Sequence, residues 1–308
     1  MNENLLFAAI TALVCLPLSL ALAAAGLPLA SASMLLNPPK RVKVFRDKYG
    51  QQTATFCLLA GIIATACLGA AAGFLPMVFP AAASFWLGWP LPLAPLAALL
   101  VLCAVLAVAY RATWQILKEN RPAHAAMGMA ATVCGWGLGY LFLSFFRHFA
   151  VSSADPAADP TLFLPPLDSA SWLLLPSVLA LTLAMAGASA PLYLIYRREK
   201  DDFGRDYYNY ALKMAGKWAL GGSAGALASQ GALFALLWPV VRDMPIRASF
   251  FWGEAVALTA FVMAGLLWSM VLKNQNPLRL KLHCVTGYAL AVAGLSGMAV
   301  AVSRFFFG

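Results

Sequence analysis

The side chains of this sequence whose types and placing suit chemistry are Glu254, His124, His283 and a tyrosine-rich segment that runs from Tyr207, Tyr208 and Tyr210 to Trp218. Glu254 opens one apolar stretch, and His124 and His283 each open another. An ionisable group in or at a lipid-crossing stretch is costly, and so is a functional residue by default. For Glu254 the chemistry is proton acceptance, including acceptance from a quinol hydroxyl. A carboxylate at the edge of a span, within about one helical turn of water, can also be simply solvated. An imidazole titrates near pH ~6.5 and serves as a proton relay or as an axial haem ligand. Two of them on different helices at similar depth could hold one b-type haem. A histidine placed just after Arg121 or Lys281 is equally an ordinary interfacial residue. His148, beside Arg147, is of the type for an external proton or haem site, but it has no counterpart elsewhere in the chain. The tyrosines and Trp218 read either as an interfacial anchor or as a surface for a partner subunit or a quinone headgroup.

Other chemistries leave no trace. Walker, H-E-x-x-H and G-x-S-x-G patterns are absent, so nothing points to nucleotide binding or hydrolysis. Cys15, Cys57, Cys67, Cys103, Cys134 and Cys284 fall inside or at the edge of apolar stretches without any C-x-x-C pair. Neither a thiol redox pair nor covalently attached haem is encoded, and the six read as small buried hydrophobes. No metal site is assigned.

The elements that must position these groups follow from composition. Hydrophobic residues make up 62% of the chain and charged residues 11%, against about 45–50% and about 25% in an ordinary soluble domain. The expectation is an all-α integral membrane protein with eight transmembrane helices, near 5–34, 54–79, 91–115, 125–146, 171–195, 212–240, 253–272 and 284–305. Each approaches or exceeds the ~20 residues needed to cross a hydrocarbon core of roughly 30 Å. Their length and their Ala, Leu and Gly content favour helices over the short alternating strands of a barrel. The first stretch lacks a basic leader, so a retained helix is expected rather than a signal peptide.

The net charge of +9 does not form a nucleic-acid patch. All Lys and Arg except Arg147, Arg242, Arg247 and Arg304 fall in four loops, 40–48, 111–121, 197–217 and 273–281. By the positive-inside rule these loops are cytoplasmic and both termini are outside. Topology and lipid headgroups account for such charge.

A shift of 159 residues carries His124 onto His283, Gly128 onto Gly287, Gly135 onto Gly294 and Pro17 onto Pro176. It also carries Arg46-Asp47-x-Tyr49 onto Arg205-Asp206-x-Tyr208. One offset at several separated places predicts two copies of one unit: a first four-helix repeat over 1–150, an external linker over 151–170 and a second repeat over 171–308. An even number of helices per copy makes the repeats parallel, related by an axis along the membrane normal.

The second unit resembles subunit I of cytochrome bd quinol oxidases. The resemblance rests on Leu181-Thr182-Leu183-Ala184-Met185-Ala186, on Gly216-Lys217-Trp218 after a charged loop, on Glu254-Ala255, and on Lys281-Leu282-His283-Cys284-Val285-Thr286-Gly287, with His124 in the same place in the first unit. It departs where the family's first-helix haem ligand falls on Leu175, or Ala12 in the first unit, and where its second carboxylate falls near Val262. The resemblance implies a membrane subunit of a respiratory quinol (menaquinol) oxidoreductase in the cell (inner) membrane, without oxygen reduction of its own. Expected with it are Glu254 as proton acceptor, a quinone (menaquinone or ubiquinone) beside Tyr207, Tyr208 and Trp218, and haem b at His124 or His283. The expected partners are membrane lipid and a redox subunit such as a cytochrome or iron-sulfur protein, with no nucleic acid. A non-catalytic membrane anchor of a peripheral complex and a small-solute transporter are the alternatives.

Overall fold

The computed structural model describes residues 3–36, 40–78, 90–151, 161–167, 169–201 and 203–307. Among them are eight long helices: α1 (Glu3–Ser33), α2 (Lys43–Val78), α3 (Pro90–Ala112), α4 (Arg121–Val151), α5 (Ser171–Arg198), α6 (Arg205–Val241), α7 (Arg247–Lys273) and α8 (Lys281–Phe307). Short 3-10 turns at Lys40–Val42, Ile116–Lys118 and Pro277–Leu280 connect some of them. All eight helices are long and apolar enough to cross a membrane, which makes this a multi-pass membrane protein. Helices are the natural solution, because lipid offers no partner to a backbone amide or carbonyl. Pro17, Pro28, Pro95, Pro176, Pro191 and Pro239 all lie within helices, a placement that neighbouring helices make tolerable in lipid.

Several helices begin earlier than hydropathy suggests. α2 starts at Lys43, α6 at Arg205 and α7 at Arg247, where the apolar stretches start near 54, 212 and 253. Hydropathy marks the part of a helix that lies in hydrocarbon, whereas the hydrogen-bonded spiral runs on through the interface. α6 has 37 residues, about 55 Å at 1.5 Å per residue, so it extends well past a core of roughly 30 Å.

α1 and α5 are the central helices: each packs on the other and on α8, and α1 also packs on α2 and α4 while α5 packs most extensively on α6. Neighbouring contacts run α1–α2–α3–α4 and back to α1, and again α5–α6–α7–α8 and back to α5. The α5–α6 seam depends on small residues. A side-chain carbon at Gly187 would strike the backbone of Ala219, and one at Gly222 the backbone of Ala184. Such close approach is how helices associate where lipid tails give no hydrophobic drive.

The linker between the halves is partly docked rather than free. Tyr140 donates to Phe163 O at 2.6 Å, Arg147 to Thr161 O at 3.1 Å, and Ser144 to Leu162 O. Leu162 is buried beneath them. The acidic positions Asp155 and Asp159, and the aromatic Phe85, Trp86 and Trp89 of the other outer loop, lie outside the described residues.

Candidate functional site

Glu254 lies seven positions after the start of α7, about 10 Å into the helix, and is fully buried. The expectation of a carboxylate near water is therefore corrected: α7 starts six residues, more than one and a half turns, earlier than hydropathy indicated. Its Oε1 accepts a hydrogen bond from Nε2 of Gln230 on α6 at 2.6 Å. Gln230 is equally buried. Glu254 Oε2 and Gln230 Oε1 have no hydrogen-bond partner among the described residues, although buried polar atoms are nearly always paired. The site thus offers two acceptor oxygens of its own in an enclosed setting.

Aromatic rings close this site toward the adjacent helix ends. Phe250 stands one turn before Glu254 and Phe234 one turn after Gln230, and the two rings stack at 6.2 Å between centroids. Trp238 stacks on Phe234 at 5.4 Å, and Phe305 of α8 packs on Phe250 at 6.5 Å. The backbone of α8 comes up against Gly253, where an added carbon would lie 2.8 Å from Gly297 O. A buried carboxyl beside a carboxamide, with an unpaired oxygen on each, can accept hydrogen bonds and take up a proton.

Tyr207 and Tyr208 belong to a different part of the molecule. They sit 23 and 22 positions before Gln230 on α6, about 35 Å and 33 Å along the axis, and both are fully buried. The Tyr207 hydroxyl donates to Gln52 Oε1 of α2 at 2.5 Å, and Gln52 Nε2 donates to Asp201 Oδ2 at 3.3 Å. Arg197 grips both oxygens of Asp201 at 2.7 and 2.8 Å, and the Tyr208 hydroxyl donates to Asp201 O at 3.0 Å. The Tyr207 hydroxyl ties α6 to α2 and the Tyr208 hydroxyl ties it to the α5–α6 turn, so the expected quinone surface falls on tyrosines whose hydroxyls are already bonded. The cause is again the early start of α2, whose first turns bring Phe45 and Gln52 onto the tyrosines. Trp218, three turns further along α6, is part of neither site; it lines a separate groove with Lys217.

The histidines also part company. His124 is buried, its Nε2 is 2.9 Å from Tyr110 O, and its ring lies 4.6 Å from both Tyr110 and Trp114 of the α3 end. Tyr110 continues the chain of bonds through Ser31 Oγ at 2.8 Å to Gly50 O at 2.7 Å. That nitrogen is engaged by a backbone carbonyl, and two aromatic rings stand against the imidazole. His283 is half-exposed near the start of α8. His148 is buried in the last turns of α4. Among the described residues no group of three or more His, Cys, Asp or Glu could hold a metal ion, and all six cysteines are free thiols.

Gln230 and Gln52 are the functional and structural partners that sequence reasoning missed. Gln230 carried a usable signal, as the one carboxamide within the apolar stretch 212–240. The chain matches no protein-family model, and no curated protein and no solved structure is significantly similar to it.

Proposed function

We propose that the chain is the membrane subunit of a respiratory quinol oxidoreductase, in which a quinol, menaquinol in the first place, is oxidised beside Glu254 and Gln230. The buried Glu254–Gln230 pair is the observation that carries this reading. The quinol ring docks against the aromatic layer of Phe234, Phe250 and Trp238, which parts to admit it, with one hydroxyl toward Glu254 Oε2. As that O–H bond breaks, Glu254 takes the proton; the second proton leaves to water, and the two electrons pass to a redox centre of a partner subunit, such as a cytochrome or iron-sulfur protein. The side-chain oxygen of Gln230 accepts from a quinol hydroxyl and its amide fixes the carboxyl. The distribution of Lys and Arg supports a topology with this end of α6 and α7 at the outer face of the inner membrane and both termini outside. The shared offset of 159 and the two closed rings of helix neighbours support two parallel four-helix repeats.

The test is binding of menadiol and of decylubiquinol to the purified protein in lipid nanodiscs, followed by calorimetry. Saturable binding that Glu254→Leu removes is the expected result. Wild-type protein that binds neither quinol leaves a purely anchoring subunit as the better account.

A further inference from the structure

A second candidate site lies along the first half of α6, against the middle of α5, and does not depend on the quinol reading. A groove of about 550 Å³ opens between the end of α1, α5 and α6, walled by Met34, Leu183, Met214 and Trp218 and floored by Gly221 and Gly222. Its floor is low because α5 and α6 touch backbone to backbone there, at Gly222 and Ala184. The walls are thus flexible thioethers and one indole around a channel of bare backbone, a shape that suits a linear chain.

The rim is cationic. Lys217 lines the groove and is exposed, and Lys213 stands one turn earlier on the same face of α6. Neither forms an ion pair among the described residues. A third cation is fixed beside the α1 side: Arg46 donates through Nη2 to Ser33 O at 2.7 Å and to Leu36 O at 3.1 Å, the carbonyls that bracket Met34. Its Nε is buried and has no hydrogen-bond partner among the described residues. Arg46 also lies beside Tyr210, which leads by one turn to Met214. Two carboxylates on this side are engaged elsewhere, Asp47 by Arg121 at 2.9 Å and Asp201 by Arg197 at 2.6 Å, while Asp206 stands exposed two turns before Lys213.

We propose that this groove is a binding site for an anionic phospholipid, with an acyl chain along Met34, Leu183, Met214 and Trp218 and the phosphate held by Lys217, Lys213 and Arg46. An excess of positive charge, three cations against the exposed carboxylate of Asp206, selects a phosphate-bearing headgroup over a neutral one, as basic pockets between membrane helices do. Because α1 belongs to the first half and α5 and α6 to the second, the lipid would also fill the seam between halves.

The test is native mass spectrometry of the detergent-purified protein with dioleoyl phosphatidylglycerol or dioleoyl phosphatidylcholine added. One phosphatidylglycerol should be retained in preference to phosphatidylcholine, and Lys213→Gln with Lys217→Gln should reduce that preference about thirtyfold. Lys281→Gln, an exposed cation on another helix, should leave it unchanged. Tryptophan quenching by brominated phosphatidylglycerol should fall in Trp218→Phe. Equal retention of both lipids, or unchanged retention in the double variant, overturns the proposal. So does release of the bound phosphatidylglycerol by menadiol, which would make the groove a quinone site instead.

Discussion

The two halves of this chain differ most between α2 and α3 on the one hand and, at the offset of 159, α6 and α7 on the other. At the shared offset Gln230 corresponds to Ala71 and Glu254 to Pro95. In the second half a carboxyl and a carboxamide are hydrogen-bonded between helices under an aromatic layer. In the first half Gly69 and Gly73 have nothing among the described residues within 4 Å of where a side chain would start. Burial follows the same division: 33% of the apolar span of α7 is buried, against 6% for α3. Elsewhere the halves agree. A methyl group on Gly128 would lie 3.0 Å from the Tyr110 ring, and one on Gly287 2.9 Å from the Trp268 ring. In each half a ring from the third helix rests on the glycine four residues after the histidine. The geometry of helix association is thus common to both halves, while the buried polar pair belongs to one.

The largest effect should come from removing the carboxyl. Glu254→Gln should lower quinol turnover of the assembled complex by about 10²–10⁴-fold, the usual worth of a positioned general base, with little change in folding because the isostere keeps the bond to Gln230. Gln230→Leu should cost about tenfold by loosening the carboxyl. Placing the amide in the other half, as Ala71→Gln, should change nothing in turnover. Turnover of menadiol by the complex, wild type against variants, decides all three; undiminished activity in Glu254→Gln would remove the functional asymmetry.

Packing offers a second way to break the comparison. Gly222→Leu or Gly187→Leu drives a side chain into the facing backbone and should cost about 3 kcal/mol or more. Gly69→Leu and Gly73→Leu point into open space and should stay within about 0.5 kcal/mol. Reversible unfolding in mixed micelles measures the difference. A similar loss in the Gly69 and Gly73 variants would mean that α2 and α3 are covered in the native assembly.

The histidines give a smaller contrast of the same kind. His124→Ala leaves a cavity between Tyr110 and Trp114 and strips Tyr110 O of its bond, at about 2–3 kcal/mol. His283→Ala, at a half-exposed position, should stay within about 0.5 kcal/mol. Equal losses would show that the offset preserves a structural role in both halves.

How much of this was legible beforehand depends on the length scale. The eight crossings were readable because hydrophobic content over some 20 residues is a strong physical signal. Helix starts were not, since α2, α6 and α7 begin in polar residues such as Lys43, Arg205 and Arg247 that hydropathy scores as loop. That error moved Glu254 to the surface and left Tyr207 and Tyr208 looking exposed. Glu254 itself was legible as a charge in an apolar setting. Its bond to Gln230 was not, because no local pattern says which face of α6 turns toward α7. The docking of Thr161, Leu162 and Phe163 on α4 was equally hidden, being made by carbonyls that every residue has.

The last contrast concerns how the halves are joined. Gln52 reaches from α2 to the Tyr207 hydroxyl and to Asp201, crossing between halves, while its counterpart at the shared offset is Ala211, which can make no such bond. The junction is therefore one-sided, and its energy should be found in a single pair. Gln52→Leu leaves the buried Tyr207 hydroxyl without an acceptor and should cost about 1–2 kcal/mol. Tyr207→Phe removes the donor but frees Gln52 Oε1 with Asp201 still bonded at the other end of the amide, so it should cost less. If the hydroxyl–amide bond is what links the halves, the double variant should cost less than the two singles added, with a coupling of about 1 kcal/mol in a double-mutant cycle. Additive losses would mean instead that the halves are held there by the Phe45, Tyr207 and Tyr210 ring contacts, at 5.9 and 5.7 Å, with the polar network merely tolerated inside them.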